Sequence, residues 1–193
     1  EYYLSYRPKD FLFNGRIKVV FTIPAQLRSI CYQNQKLMYN VLFTSAWETL
    51  DAFSKDPKHK LNAKMGMIAV LHTWTQQLLY HPHIHCIVPS GGITENGQWK
   101  SAKSNGKFLF PIKALAKTFR GKFMEKLLLL YRQKKLRLKG KLAVLDRPGA
   151  FWGLKKKLYQ VNWVVNTKKP FANPDLVLEY LARYTHKIAI SNY

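Results

Sequence analysis

Two histidines separated by one residue open an apolar run of the sequence, His83-Ile84-His85. Side chains at positions i and i+2 of a β-strand point to the same face of the sheet. His83 and His85 can therefore be directed at one metal ion while Ile84 packs on the opposite face. Imidazole nitrogens are ligands for zinc, manganese, nickel and cobalt. The pair predicts a divalent-metal site, and the alternative is a pair of structural histidines in the core.

A metal site generally needs a third protein ligand, and the sequence offers several. His72 is the favoured candidate because it lies 11 residues before the pair, near the end of the preceding predicted strand. His81 shares the strand parity of the pair, but the proline that follows it disturbs the strand there. Gln76 and Gln77 are also within reach of the same site.

Two tyrosines in the C-terminal region, Tyr180 and Tyr184, have the i, i+4 spacing of residues that share one face of a helix. One interpretation is that both belong to the core face of an amphipathic helix. The other is nucleophilic chemistry, because Arg183, His186 and Lys187 surround the second tyrosine with groups that favour phenolate or bind phosphate. A phenol has a pKa near 10 and is a weak nucleophile without a nearby cation.

The net charge of the 193-residue chain is +22, from 32 basic and 10 acidic residues. Such an excess opposes compaction, and the partner that best explains it is a polyanion, DNA or RNA. The excess is concentrated in residues 100–193, which hold 22 Lys/Arg and 4 Asp/Glu. We therefore expect the C-terminal half to provide most of the phosphate contacts, and exposed aromatic rings to stack on unpaired bases.

The elements that must position these residues are readable from periodicity and turn signals. We predict strands at 16–23, 64–74, 83–89, 161–166 and 187–190, and helices at 24–53, 111–131, from 150 to about 159, and from 173 onward through the tyrosines. A turn is predicted at 94–98. This order predicts an α+β fold in which helices pack on a mostly antiparallel central sheet.

Cysteine usage and hydropathy exclude several classes of protein. The two cysteines, Cys31 and Cys86, form no Cys-x-x-Cys pair, which argues against a disulfide scaffold or a cysteine zinc finger. No apolar run reaches the ~18 residues of a membrane span, and the first residues do not have the pattern of a signal peptide. We therefore expect no membrane partner and a cytoplasmic location, in association with the nucleoid during activity.

The arrangement of a His-hydrophobic-His strand followed by a Tyr-x-x-x-Tyr helix resembles the HUH endonucleases, and more narrowly the two-tyrosine transposases of rolling-circle insertion sequences. The stretches that carry the resemblance are IAVLHTW at 68–74, HPHIHCIVPSGG at 81–92, KKPF at 168–171 and EYLARYTHKIAISN at 179–192. The resemblance implies that His83 and His85 bind a catalytic divalent ion, Mg²⁺ or Mn²⁺. His72 matches the upstream histidine that completes a three-histidine site in related relaxases.

The same resemblance implies that Tyr180 and Tyr184 are paired nucleophiles. The implied reaction nicks and rejoins single-stranded or extruded DNA at transposon ends through a 5′-phosphotyrosine intermediate. Arg183, His186 and Lys187 are the implied DNA contacts.

Residues 1–193 are expected to form a single catalytic transposase domain. Full-length members of this group usually carry a cysteine-rich zinc-binding segment before the catalytic domain and continue beyond it, so we expect this chain to be a fragment. Two rival functions share the charge and the histidines: a non-catalytic nucleic-acid-binding module with a structural metal site, and a metal-dependent nuclease that uses water.

Overall fold

The computed structural model describes residues 16–59, 61–75, 77–102 and 110–171. The strands are β1 Arg16–Thr22, β2 Ile68–Trp74, β3 Tyr80–Pro89, β4 Gly91–Ile93, β5 Trp99–Ser101 and β6 Val164–Phe171. The α-helices are α1 Arg28–Gln33, α2 Gln35–Lys55, α3 Ile112–Arg132 and α4 Ala150–Gln160. Short 3₁₀ turns occupy Ala25–Leu27, Pro57–His59 and Gly140–Asp146.

Four of the strands form the central sheet, in the order β2-β3-β1-β6, and every neighbouring pair is antiparallel. Strands β4 and β5 form a separate hairpin around the turn that the sequence predicts at 94–98. The architecture confirms the prediction of an α+β fold with helices packed on an antiparallel sheet.

The alternation of side chains along β1 gives the sheet two different faces. Ile17, Val19 and Phe21 are almost completely buried and belong to the hydrophobic core. The residues between them are only half-buried. Because successive side chains of a strand point to opposite faces, one face packs on the helices and the other carries the polar residues.

Helix α3 packs on the buried face of the sheet. Its buried residues recur at helical spacing, at Leu115, Phe119, Phe123 and Leu127, and so form one apolar stripe. The Phe119 ring lies 4.9 Å from the ring of Phe21 on β1, centroid to centroid. This aromatic contact fixes the helix against the middle of the sheet, so that the opposite sheet face remains for other chemistry.

The predicted helix at 24–53 is interrupted, and this differs from the sequence-based expectation. The break is at Asn34, whose φ of −130° and ψ of 41° are not helical. The buried Asn34 side chain donates to the carbonyl of Ile30 and forms two further hydrogen bonds with the backbone of Arg137. Asparagine side chains compete with helical hydrogen bonding in this way, and here the competition ends α1.

The strand boundaries also differ from the predicted ones. β2 begins later than expected, at Ile68, and β3 begins earlier, at Tyr80, so that it includes Pro82. Proline is tolerated there because the pairing with β1 ends at His83, and the register with β2 shifts at the same level. No helix in the described ranges is long and apolar enough to span a membrane.

Candidate metal centre

The antiparallel register of β2 and β3 brings three histidines together on the polar face of the sheet. His72 lies directly opposite His83, and the residue opposite His85 is Val70, two positions before His72. The ring of His72 stacks on that of His85 with centroids 4.0 Å apart, and it lies 5.2 Å from His83. The centroids of the two β3 rings are 4.9 Å apart. We call these three residues the histidine triad.

The spacing of the triad fits one shared cation. The three candidate ligand atoms, one nitrogen from each ring, all lie within 4.8 Å of one another. Nitrogens bound to one ion at 2.0–2.1 Å with tetrahedral angles are about 3.4 Å apart, so binding one ion requires the rings to close by up to about 1.4 Å. All three side chains are half-buried, so each remains partly accessible to solvent.

A backbone hydrogen bond orients one member of the triad. Nδ1 of His83 donates to the carbonyl oxygen of His81 at 2.7 Å, because a carbonyl can only accept. This bond assigns the hydrogen to Nδ1 and leaves the lone pair of Nε2 for a metal. Burial lowers the pKa of His83, and the charge of Lys18 lowers it further, whereas the hydrogen bond raises it. The neutral form, which a metal requires, is therefore favoured at neutral pH.

His81 has a different role from the triad. Its Nδ1 accepts a hydrogen bond of 2.6 Å from the guanidinium of Arg28, which has no lone pair to accept one. Burial lowers the pKa of His81, and the neighbouring Arg28 and His83 act in the same direction. The hydrogen bond between His81 and the triad is made by the backbone carbonyl of His81 and not by its ring. No sequence pattern indicates the Arg28 contact, which joins residues 53 positions apart.

The other predicted site residues do not all fall within the described ranges. Gln77 is exposed in the connection between β2 and β3. Outside the described residues lie Gln76, Tyr180, Arg183, Tyr184, His186 and Lys187. The proximity of the triad to the tyrosines thus stays a prediction.

Few acidic groups oppose the basic surface of the described residues. Glu48 on α2 pairs with Lys126 and Lys122 of α3, at 2.8 and 3.7 Å. In the segment from Arg132 to Lys141, the basic side chains are exposed. This surface has the sign that a nucleic-acid backbone requires.

Comparison with known proteins places these features in a family. The family model Y2_Tnp, described as "Putative transposase", matches residues 66–193. The "Putative transposase y4qJ" of Sinorhizobium fredii is 42% identical over 191 residues, 98% of this chain and 47% of that protein. The transposase for insertion sequence element IS801 of Pseudomonas savastanoi pv. phaseolicola is 34% identical over 83 residues, 43% of this chain and 19% of that protein. The chain thus spans about half the length of the first relative and less of the second.

Among solved structures, the conjugative relaxase TrwC is similar in two complexes. The metal-bound complex with OriT DNA has a TM-score of 0.47 and 16% identity, covering 92% of this chain and 60% of the relaxase chain. The complex with a 27-mer DNA that comprises the recognition hairpin and the cleavage site has a TM-score of 0.46 and 16% identity, covering 90% and 61%. The family match covers most of the chain and includes all three triad histidines. The chain therefore belongs to the Y2_Tnp family of transposases.

Proposed function

We propose that this chain nicks and rejoins single-stranded DNA through a 5′-phosphotyrosine intermediate during rolling-circle transposition. The observation that carries the proposal is the histidine triad on the polar face of the sheet, in a chain that belongs to a transposase family. The net charge of +22 supports DNA as the substrate. We further propose that residues 1–193 form one catalytic domain.

The residues that would hold a divalent cation are His72, His83 and His85. Their three nitrogen donors favour Mn²⁺ or a later transition metal over Mg²⁺, which prefers oxygen ligands. When bound, such a cation supplies Lewis-acid polarisation of a non-bridging phosphate oxygen. The sheet holds the rings in place, since two of them are on one strand and the third is directly opposite.

The proposed nucleophiles are Tyr180 and Tyr184. The phenolic oxygen of one tyrosine loses its proton to solvent and attacks the phosphorus. The bond from phosphorus to the 3′-oxygen breaks, and that oxygen takes up a proton from solvent and leaves as a hydroxyl. The phosphodiester energy is conserved in the tyrosine–phosphate bond, so rejoining needs no ATP. A second tyrosine allows a second strand end to be held. Arg183, His186 and Lys187 are proposed to contact the phosphates.

The test uses a pool of random-sequence single-stranded DNA, incubated with the chain and Mn²⁺ and separated on a denaturing protein gel. With the label at the 3′ end, a band should migrate with the protein, because the 5′-phosphate of the downstream fragment is attached to tyrosine. With the label at the 5′ end, only a shorter free strand should appear. Chelator should abolish both products.

The two rival functions give different results in the same experiment. A nuclease that activates water shortens the strand with either label but leaves no protein on the DNA. A binding module with a structural metal retards the DNA on native gels and does not cut it, whichever metal is added. Either result would replace the proposal.

A further inference from the structure

A cavity lies between α1, the start of β3 and the Gly140–Asp146 turn. Its volume is about 560 Å³, within the range of binding sites for small organic groups. The lining residues that matter for binding are Arg28, Tyr32, Gln33, Tyr80, Lys139 and Lys141. A second hollow of about 330 Å³ shares Tyr32, Gln33 and Lys139 and adds Arg137. We call the two together the α1 groove.

One wall of the α1 groove is a basic segment that is fixed by side chains from the end of α1. Asn34 donates to the carbonyl of Arg137 at 3.0 Å and accepts from its amide at 2.6 Å. Gln33 does the same with Lys139, at 3.0 and 2.9 Å. These four bonds join residues more than 100 positions apart. The segment is therefore held with its backbone paired and its cationic side chains exposed.

The charges of the α1 groove have no acidic counterpart in its walls. Arg137, Lys139 and Lys141 are exposed, and the lining of the groove contains no carboxylate among the described residues. The ion pairs in the described ranges are formed by other residues. Three uncompensated cations around one groove favour an anionic ligand with more than one charge.

The α1 groove also contains exposed aromatic surface. The side chain of Tyr32 is 60% exposed, and its ring meets the ring of Tyr80 edge-on at 5.2 Å. The ring of Trp74, which is 46% exposed, also lies 5.6 Å from the ring of Tyr80. The hydroxyl of Tyr80 is hydrogen-bonded to that of Tyr39 at 3.0 Å, so the central ring is fixed. Exposed rings beside cations are what unpaired bases stack on.

The α1 groove is connected to the histidine triad by direct contacts. Arg28 lines the groove and donates to the His81 ring, which lies 5.5 Å from the ring of His83. The carbonyl of His81 in turn accepts the hydrogen of His83 Nδ1. The groove therefore lies beside the start of β3, the strand that carries His83 and His85.

We propose that the α1 groove binds an unpaired DNA base on Tyr32, with its flanking phosphates on Arg137, Lys139 and Lys141. The occupant is the single strand next to the phosphate that is cut, so this inference rests on the proposed function. Duplex DNA has its bases stacked internally and cannot offer one to Tyr32. The groove therefore selects single-stranded DNA.

The test measures binding by fluorescence anisotropy in chelator, so that no strand is cut. The probes are labelled oligothymidine, an abasic strand of equal length and a duplex. Tyr32→Ala should weaken oligothymidine binding by about ten-fold, because the ring on which a base stacks is removed, and should leave abasic binding unchanged. Tyr32→Phe keeps the ring and should keep the affinity. The matched control is Tyr159→Ala on α4, another exposed ring (42% exposed).

The cationic wall is tested by the double variant Lys139→Gln/Lys141→Gln. It should weaken the binding of both single-stranded probes. The slope of log affinity against log salt concentration should become shallower by about 0.7 for each phosphate that the lysines no longer neutralise. The double variant Lys113→Gln/Lys117→Gln removes the same charge from exposed positions of α3 and should have a much smaller effect. Thermal unfolding of each variant checks that the chain remains folded.

The inference is overturned if Tyr32→Ala binds oligothymidine as the unchanged chain does, or if it weakens the abasic probe equally. It is also overturned if the two lysine pairs have equal effects, or if the unchanged chain binds duplex as well as single strand. Covalent cleavage by the unchanged chain with Mn²⁺ is scored separately. If the unchanged chain cleaves DNA but the Tyr32 and lysine variants bind normally, only the binding site in the groove is rejected. If those variants bind more weakly but the unchanged chain does not cleave DNA, only the proposed reaction is rejected.

Discussion

His83 donates its Nδ1 hydrogen to the backbone carbonyl of His81, two residues earlier on the same strand, over 2.7 Å. The bond is made by the backbone of His81 and not by its ring, whose Nδ1 accepts from Arg28. The two histidines lie on the same strand but make different contacts. The Nε2 atom of His83 is left for a metal, and the carbonyl of His81 orients the His83 ring.

This division predicts different effects of replacing the two residues. Loss of a group that only supports a metal ligand typically weakens metal binding by about 10–100-fold. His83→Ala removes a proposed ligand itself, so it should weaken Mn²⁺ binding by more than that. His81→Ala keeps the backbone carbonyl that orients His83, so it should weaken Mn²⁺ binding by less than about ten-fold. Isothermal titration with Mn²⁺ measures both, and circular dichroism should show that both variants fold. Equal losses in the two variants would count against the triad as the site.

Asn34 is expected to stabilise the fold through its contacts with residue 137. Asn34→Ala removes three hydrogen bonds and leaves the Arg137 amide without its acceptor, which should lower the free energy of unfolding by about 1–3 kcal/mol. The control is Asn40→Ala, at an exposed position of α2, which should change it by less than about 0.5 kcal/mol. Urea denaturation gives both values, and equal effects would refute the role assigned to Asn34.

The central sheet and most of the helices are predictable from the sequence because their hydrophobic periods are local. The break at Asn34 was missed for a physical reason: its partner, Arg137, is 103 positions away, and no local pattern reports such a contact. The hydrophobic period of the sequence continues almost without interruption through α1 and α2, so the local pattern alone predicts one helix. The sequence predicts no element over Gly140–Asp146, because no helical or strand period extends through it.

Both cysteines should be unreactive at neutral pH. Burial raises the pKa of Cys31 from 9.0 to about 11, although a hydrogen bond with Tyr80 opposes the shift, and burial alone raises the pKa of Cys86. Iodoacetamide at pH 8 should therefore label both thiols slowly in the folded chain and rapidly in denaturant. Rapid labelling of the folded chain would contradict the burial of these residues.

The same pKa shifts make the free energy of unfolding depend on pH in the alkaline range. In the unfolded chain the thiols ionise near 9.0, whereas in the folded chain they remain protonated to higher pH. The folded state binds more protons in that range, so stability is fully present below pH 9 and falls as the pH rises toward 11 and beyond. Cys31→Ala should show a smaller fall than the unchanged chain between pH 9 and 11 in urea titrations. Parallel curves for the two proteins would contradict the prediction.

Phe119 should be among the most costly core residues to shorten. It is fully buried and lies within 5.4 Å of Trp163 and 4.9 Å of Phe21, ring centroid to ring centroid. Phe119→Ala should lower the free energy of unfolding by about 3–5 kcal/mol. The exposed Leu129 on the same helix is the control, and Leu129→Ala should cost less than about 1 kcal/mol. Comparable losses would mean that α3 does not pack on the sheet as described.

The candidate site was partly predictable for a similar reason. Two-residue spacing places His83 and His85 on one face of any strand, and the structure has them there. The position of His72 opposite His83 depends on the register of β2 against β3. The number of residues between the two histidines does not determine that register, because it shifts between His72 and Trp74. Arg28 was not foreseen, since nothing local relates α1 to the start of β3.

The central claim is that the triad and the tyrosines act on one phosphate. The most direct measurement is to digest the Mn²⁺-dependent protein–DNA product with nuclease and protease and to locate the remaining nucleotide by mass spectrometry. We expect a nucleotide 5′-phosphate on the oxygen of Tyr180 or Tyr184, and none in His83→Ala/His85→Ala. Attachment to another residue, or an unchanged yield in the histidine variant, would contradict the claim.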